Sequence, residues 1–368
     1  MLTTILTDIA LLSAISGVLA IVMVIAEKWL SNYGDCKIDI NGKRQLTVKG
    51  GNSLLSSLTE KQIFLPSACG GRGTCGACKC KVLSGGGPLL PTERPLLSAT
   101  ELKEGNIRLA CQVKVKSEIN IEIPASIFNI RRFEATVAEI IDYTYDIKGI
   151  LFKLADGESI DFMAGQYVQL ETSPYDKVKQ KVSRAYSISS KPELQNALQL
   201  IIRYVPEGIC TTWVHQHLKL GDKVFFTGPY GDFFLRDTEA DIIYVAGGSG
   251  KAPIKSMLEH LAESGCRRKM TYFFGARTKK DLYLTDEMTA FENVFPDFKY
   301  VPVLSAPEPG CDWTGKTGFV MPYFKDAIRD PKNTEAYLCG SPGMINAVTK
   351  ALMENGIPKE KIYYDSFG

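Results

Sequence analysis

Cys69 to Cys78 reads C-G-G-R-G-T-C-G-A-C, and a fourth cysteine, Cys111, follows in the run R-L-A-C-Q. Cysteines at 69, 75 and 78 with a distant partner at 111 match the ligand spacing of a plant-type [2Fe-2S] centre, with one extra residue between the first two. The intervening Gly70, Gly71, Gly73 and Gly76 suit this chemistry. A loop wrapped round an inorganic cluster needs positive φ angles and close backbone approach. Its N–H groups then point at the sulfurs and raise the potential. Zinc and a disulfide are the competing readings. Structural zinc takes paired knuckles, and the distant half here offers one cysteine. A disulfide is disfavoured in a cytoplasmic body. Cys80 lies in the alternating stretch Lys79-Cys80-Lys81-Val82 and reads as a packed strand residue, not a ligand.

The chain has 368 residues, room for about two to three domains. A net charge of +2 leaves no nucleic-acid footprint. There is no internal repeat and no low-complexity tract. From Ile9 to Ala26 the N-terminus carries no charge, and as a helix that stretch spans about 27 Å, near the hydrocarbon thickness of a bilayer. Trp29 and Tyr33 follow where interfacial aromatics belong. A cleaved signal peptide would want a positive n-region, whereas no Lys or Arg precedes Lys28. The first cation therefore predicts a single-pass anchor in the inner (cytoplasmic) membrane with its body in the cytoplasm.

Beyond the anchor, Cys36 to Ile40, the turn Asn41-Gly42 and the return Gln45 to Val48 predict a hairpin. Ser53 to Glu60 predicts a short helix with an apolar stripe at Leu54, Leu55 and Leu58. Short strands round one helix suit a β-grasp fold. From Arg131 the strands come at the spacing of a small antiparallel barrel. Within it lie R-A-Y-S at Arg184–Ser187 and G-I-C-T-T at Gly208–Thr212. From Asp241 the pattern becomes strand, glycine turn, helix. Ile242 to Ala246 is a buried-type strand, G-G-S-G-K-A-P runs from Gly247 to Pro253, and an apolar-periodic helix follows. That order presents backbone N–H groups and a helix dipole to a nucleotide phosphate. Further strands at Met270, Lys299 and Ala336 predict a parallel doubly wound sheet.

These segments together resemble a known family. The C-terminal two thirds is similar to the ferredoxin-NADP reductase-like superfamily. The whole chain resembles the F-subunit family of sodium-translocating NADH:quinone reductases. The residues that carry the likeness are the N-terminal apolar helix, the cluster run, S-G-G-G-x-x-L-P-T-E at Ser84–Glu93, R-L-A-C-Q-V-K-V at Arg108–Val115, R-A-Y-S, G-G-S-G-K-A-P, C-G-S-P-G-M from Cys339 and the terminal D-S-F-G from Asp365. The resemblance implies a multidomain chain: a transmembrane anchor at 1–33, a β-grasp [2Fe-2S] ferredoxin domain at 34–128, an antiparallel β-barrel FAD domain at 129–237 and an α/β doubly wound NADH domain at 238–368.

It also implies roles. Cys69, Cys75, Cys78 and Cys111 would ligate iron. Arg184 would pair with the FAD pyrophosphate, Tyr186 would pack on the flavin, and Ser187 would reach its N5. Gly208, Thr211 and Thr212 would lie by the FAD phosphates, and Gly247, Gly248, Gly250 and Pro253 by those of NADH. Cys339 would sit beside the nicotinamide, and Phe367 would cover the flavin. The expected activity is NADH oxidation through FAD and the [2Fe-2S] cluster to integral-membrane electron-accepting subunits of a respiratory complex, with quinone as terminal acceptor and sodium transport by the whole assembly. Two features depart from that family. The segment Glu171 to Ser183 is shorter, and Ser189-Ser190 reads more like reductases that serve oxygenases. A tethered NADH-dependent reductase feeding an oxygenase is therefore the alternative. The coenzyme also stays open: Asp281 resembles NADH users, while Arg277, Lys279 and Lys280 suit a 2′-phosphate.

Overall fold

The computed structural model describes residues 2–30 and 33–367, with side chains for all of these except 2–5 and 27–30. The side chains of Lys28 and Trp29 thus lie outside the described residues. Helix α1 (Leu2–Leu30) contains the segment Leu6–Ala26, 21 residues of mean hydropathy 2.7 with none of it buried. Leu11, Leu12, Val18 and Met23 project in different directions, each more than half exposed. A helix that is apolar all round suits lipid better than water, and this one has about the length of a bilayer core.

The rest of the chain forms two compact units, divided after Asn129. In the first, β1 (Asp35–Ile40) and β2 (Arg44–Lys49) form the expected hairpin. Asn41 and Gly42 both have positive φ, 58° and 64°, the tight hairpin turn that such a pair favours. Helix α2 (Leu54–Glu60) is capped by the Ser53 hydroxyl and buries Leu54, Leu55 and Leu58 as its stripe requires. Strands β3 (Lys79–Ser84), β4 (Ile107–Leu109) and β5 (Ile119–Glu122) complete the sheet, with α3 (Ala99–Glu104) between β3 and β4. The sheet order is β2-β1-β5-β3-β4, and β1 pairs in parallel with β5. This is the β-grasp arrangement. Helix α3 was not expected, although Ser98 and Glu101 form a capping box at its start.

The second unit begins with β6 (Arg131–Asp142), β7 (Ile147–Leu154), β8 (Tyr167–Glu171), β9 (Ser183–Ser187) and β10 (Ala197–Arg203). A short helix α4 (Ile209–Thr212) and β11 (Lys223–Tyr230) follow. The strands run antiparallel in the order β10-β7-β6-β11-β8-β9. The ends of that order meet where Ile188 bridges Leu200, so the sheet closes into a barrel around Phe133, Phe152, Trp213 and Phe226. The short segment between β8 and β9 is a closed hairpin: Thr172 N–H donates to Val182 O, and Tyr175 and Val178 exchange backbone bonds.

A parallel sheet follows. Its elements are β12 (Asp241–Gly247), α5 (Lys251–Glu263), β13 (Met270–Ala276), α6 (Thr285–Val294), β14 (Phe298–Leu304), β15 (Lys316–Thr317), α7 (Phe324–Ala327), β16 (Thr334–Gly340), α8 (Pro342–Glu354) and β17 (Ile362–Ser366). The order β15-β14-β13-β12-β16-β17 reverses direction between β12 and β16. Apolar clusters cover both faces, one reaching α5 and α6 and the other α7 and α8. The reversal opens a crevice at the carboxyl ends of β12 and β16, where such sheets bind ligands. The Ser256 hydroxyl of α5 donates to the Ser190 carbonyl at 2.7 Å, joining barrel to sheet.

Phe226 lies at the centre of the barrel core, with its ring 5.4 Å from that of Phe133. Phe226→Ala is expected to cost the second unit about 3–5 kcal/mol, read as a lower urea midpoint with the slope of unfolding unchanged.

Candidate functional site

The cluster loop lies between α2 and β3. The Cys75 thiol donates to the Cys69 sulfur at 3.3 Å, and Cys78 and Cys111 are hydrogen-bonded to each other. The four thiols therefore come as two pairs. Backbone N–H groups point at them, Ala77 N–H to Cys75 Sγ at 3.4 Å among them. Burial opposes ionisation of Cys69, yet bonds from Thr74 and Cys75 hold it down to about 6. The bond from Cys78, against burial, holds Cys111 down to about 7. Gly73 shows why the loop is rich in glycine: its φ is +74° and a Cβ would come 2.4 Å from Gln112 Nε2. Two thiol pairs ringed by N–H donors fit a dinuclear centre, one pair to each iron. Among the described residues no three His, Cys, Asp or Glu side chains converge as a site for a single metal ion. Cys80 is buried on β3 opposite Arg108.

Behind the loop is a buried ion pair that sequence reading did not single out. Arg108 donates from Nε and Nη2 to the Glu93 carboxylate, at 3.0 and 2.7 Å. Its Nη1 donates to the carbonyls of Gly86 and Gly87, at 3.0 and 2.8 Å. Glu93 also accepts from the N–H groups of Leu90 and Leu109. Each charged atom is thereby satisfied, the condition on which such a pair is tolerated inside a protein. The pair binds the Gly85–Gly87 loop to the strand that leads into Cys111. Despite burial, which raises it, the bonds from Arg108 and two backbone N–H groups hold the Glu93 carboxyl below the ordinary range.

In the second unit, Arg184, Tyr186 and Ser187 lie on β9. Arg184 Nη1 donates to Ser183 O at 2.7 Å, and the other guanidinium donors have no protein partner among the described residues. The Tyr186 phenol bonds with buried Cys210. The Ser187 hydroxyl donates to Asp365 Oδ2 at 3.2 Å. Asp365 lies opposite Cys339 in the β16–β17 register, and burial pushes its carboxyl up despite the bond from Ser187. Phe367 N–H donates to Gly340 O at 2.9 Å, which sets the terminal aromatic just beyond Cys339. Ser187 and Asp365 thus meet beside Cys339 at the switch point, and the Phe367 backbone is tied to the neighbouring Gly340. Asp365 was visible only as part of D-S-F-G. Strand β17, which positions it, is too short for its pattern to mark it.

Gly208 opens the short turn of α4. The Thr211 hydroxyl donates to Val205 O at 3.1 Å and accepts from Val205 N–H, so it closes its own loop, and Thr212 is half-buried beside it. The glycine-rich turn Gly248–Gly250 joins β12 to α5. A Cβ on Gly250 would sit 2.2 Å from the Cys339 carbonyl oxygen, and one on Gly247 would lie 3.1 Å from Met344 Sδ. Gly248 has φ +57° and faces Arg203, whose Nε donates to Asp146 at 2.7 Å. Pro253 is buried in the first turn of α5, where no intrahelical N–H is needed. In the short turn after β13, Asp281 accepts from the Thr278 N–H and hydroxyl and from the Tyr145 phenol. Lys279 pairs with Asp312 and Lys280 with Glu308.

Three family models match the chain in order: a 2Fe-2S iron-sulfur cluster binding domain over residues 38–116, an oxidoreductase FAD-binding domain over 134–235 and an oxidoreductase NAD-binding domain over 244–350. The F subunit of the Na(+)-translocating NADH-quinone reductase from Pseudomonas aeruginosa is 38% identical over 391 residues, covering 96% of this chain and 95% of its own. Its counterpart from Neisseria meningitidis is 34% identical over 404 residues, covering 99% of both. The second alignment is longer than the 368 residues here, so that relative holds segments this chain lacks. Among solved structures, the Amycolatopsis cytochrome P450 reductase GcoB superposes with a TM-score of 0.72 at 29% identity, over 90% of this chain and 98% of its own. A ferredoxin reductase in carbazole 1,9a-dioxygenase gives 0.70 at 26%, over 91% and 99%.

Arg108→Ala is expected to cost the first unit about 3–5 kcal/mol, because it strands Glu93 as a buried charge. The wild-type pair has a definite pH signature. The Glu93 carboxyl is held below its ordinary value of 4.5, so its contribution is complete above that value and is lost as pH falls through the lower, folded one. Acid unfolding of Glu93→Gln should consequently show a shallower pH dependence than wild type.

Proposed function

The chain belongs to the F-subunit family of Na(+)-translocating NADH-quinone reductases, and from that premise we propose that it oxidises NADH and delivers the electrons to a membrane acceptor, ultimately quinone, beside integral-membrane partner subunits. It is a flavin- and iron–sulfur-dependent oxidoreductase with FAD-, NAD- and [2Fe-2S]-binding domains. Bound FAD and cluster together convert a two-electron hydride donor into one-electron carriers. The chain's own residues have simpler tasks. Cys69, Cys75, Cys78 and Cys111 hold iron in their two pairs. Arg184 offers its uncommitted donors to the FAD pyrophosphate, which suits a planar guanidinium. Gly208, Thr211 and Thr212 line the FAD phosphates through backbone, since the Thr211 hydroxyl is spent on Val205.

Tyr186 gives the flavin a packing surface. Ser187 presents a hydroxyl at flavin N5, and Asp365 orients it and can hold a proton there. Cys339 leaves room for the nicotinamide, and Phe367 covers the flavin until that ring arrives. Gly247, Gly248 and Gly250, with the buried Pro253, shape the turn at the start of α5 for the NADH phosphates. Asp281, in the short turn that follows β13, is the acceptor for a ribose hydroxyl. Lys279 and Lys280 are already paired to carboxylates, which leaves Arg277 as the cation for a 2′-phosphate among the described residues, while Asp281 inclines the site to NADH. Helix α1 anchors the chain, with its body on the cytoplasmic side.

The observation that carries this reading is the junction of Ser187, Cys339 and Asp365 at the switch point, in a chain that also supplies two thiol pairs. One observation favours a second reading, a tethered reductase that feeds an oxygenase: the ferredoxin reductase in carbazole 1,9a-dioxygenase has the same domain span. Extraction of the full-length protein in mild detergent separates the two. Membrane subunits in fixed ratio with NADH-driven quinone reduction support the first. Isolation alone, or with a soluble oxygenase, supports the second.

Cys75→Ala is expected to leave NADH reduction of the flavin intact and to abolish electron delivery to the acceptor. Equal acceptor reduction by variant and wild type would show that electrons leave by another route.

A further inference from the structure

The run G-G-S-G-K-A-P puts a lysine at the first position of α5, and the fold turns it inward. Lys251 is fully buried, and among the described residues no carboxylate pairs with its amine. Nζ donates to the Tyr283 carbonyl at 2.7 Å and lies 3.0 Å from the Tyr300 hydroxyl. The rings of Phe274, Tyr283 and Tyr300 are centred 3.9, 4.7 and 5.1 Å from it. Lysine is almost never fully buried without a charged partner, because the ion loses its hydration. An apolar residue of similar length would fill this space at less cost. The amine therefore calls for a role outside packing.

Tyr283 is what the amine holds. Its carbonyl accepts from Lys251, its hydroxyl donates to Gly248 O at 2.9 Å, and its ring stacks on Tyr143 of the barrel at 5.5 Å. Gly248 belongs to the turn that faces the dinucleotide phosphates. The cage serves either protonation state. A neutral amine donates to Tyr283 and accepts from the Tyr300 hydroxyl; an ammonium donates to both and directs a third N–H towards the face of Phe274. Charge at this depth is poorly screened, and it adds to the dipole of α5.

We propose that Lys251 is a positioning residue for the dinucleotide: protonation of its caged amine tightens pyrophosphate binding through Tyr283 and the Gly248 turn, and leaves hydride transfer unchanged. The proposal rests on the assignment of this turn to NADH. Burial pushes the amine down to about 7, with Glu287 of α6 opposing. Other charged groups near it are Lys255 and Glu259 on α5. Lys255 is paired to Glu259 and, at 3.3 Å, to Glu287. Burial raises the phenols of Tyr283, Tyr300, Tyr272 and Tyr143, so none of them ionises near neutrality. Burial also raises the Glu259 carboxyl against its pairing with Lys255. The Lys251→Met variant keeps that carboxylate and so separates the two groups.

The test is rapid-mixing reduction of the flavin in the full-length, FAD-loaded protein in detergent, with NADH concentration varied from about pH 6 to about pH 9. The concentration dependence yields the NADH Kd and the limiting rate separately. The NADH pyrophosphate stays fully ionised over this range and adds no slope. The wild-type Kd should weaken about tenfold as pH rises through neutrality, with the limiting rate within about twofold. Lys251→Met should show a flat Kd at the weak, high-pH value. A flat wild-type Kd overturns the proposal without any variant, and so does a methionine variant that keeps the wild-type slope. No reduction by NADH at any pH overturns the NADH assignment and this proposal with it; reduction with a flat Kd overturns this proposal alone.

Discussion

The second unit depends on one close approach of backbone to backbone. Gly250 meets the Cys339 carbonyl so nearly that a Cβ would lie 2.2 Å from the oxygen. Only glycine permits it. Because the contact is possible, α5 starts directly against the end of β16, and the helix N-terminus opens onto the switch point. From there β17 pairs with β16 and carries Asp365 level with Cys339, within reach of Ser187 on the barrel. Groups that are 178 residues apart in the chain then share one hydrogen bond.

The first unit solves a comparable problem with charge. A loop that wraps a cluster spends its backbone N–H groups on sulfur and cannot hold itself with ordinary ladders. The buried Glu93–Arg108 pair ties the neighbouring segments together, because it collects the Gly86 and Gly87 carbonyls, the Leu90 N–H and the Leu109 N–H of β4. Replacing such a pair by apolar residues can be neutral, whereas removing one partner leaves a buried charge uncompensated.

Much of the architecture was legible in local pattern. The cluster loop announced itself by cysteine spacing and glycine content, Asn41-Gly42 by turn chemistry, α2 by its stripe, and β12 by its unbroken apolar run before the glycines. Helix α3 and strand β17 were not, since α3 buries no residue and β17 takes its place from β16. Among the candidate site residues, the four thiols stand out by spacing alone, while Ser187 and Cys339 are proposed from the family resemblance. Asp365 and the Glu93–Arg108 pair were hidden because a carboxylate in a sequence looks alike whether it faces water or an arginine. Lys251 was hidden too: nothing in the glycine run marks it, and it points into the core.

The sequence by itself determined the order of domains, the grouped cysteines of the cluster loop, the apolar N-terminal helix and the glycine turn after β12, because each rests on local pattern. Tertiary structure alone decided which charges are paired, which hydroxyl is spent on its own loop and which carboxylate meets Ser187 beside Cys339. Those outcomes depend on burial and on partners distant in the chain, and both are properties of the folded molecule.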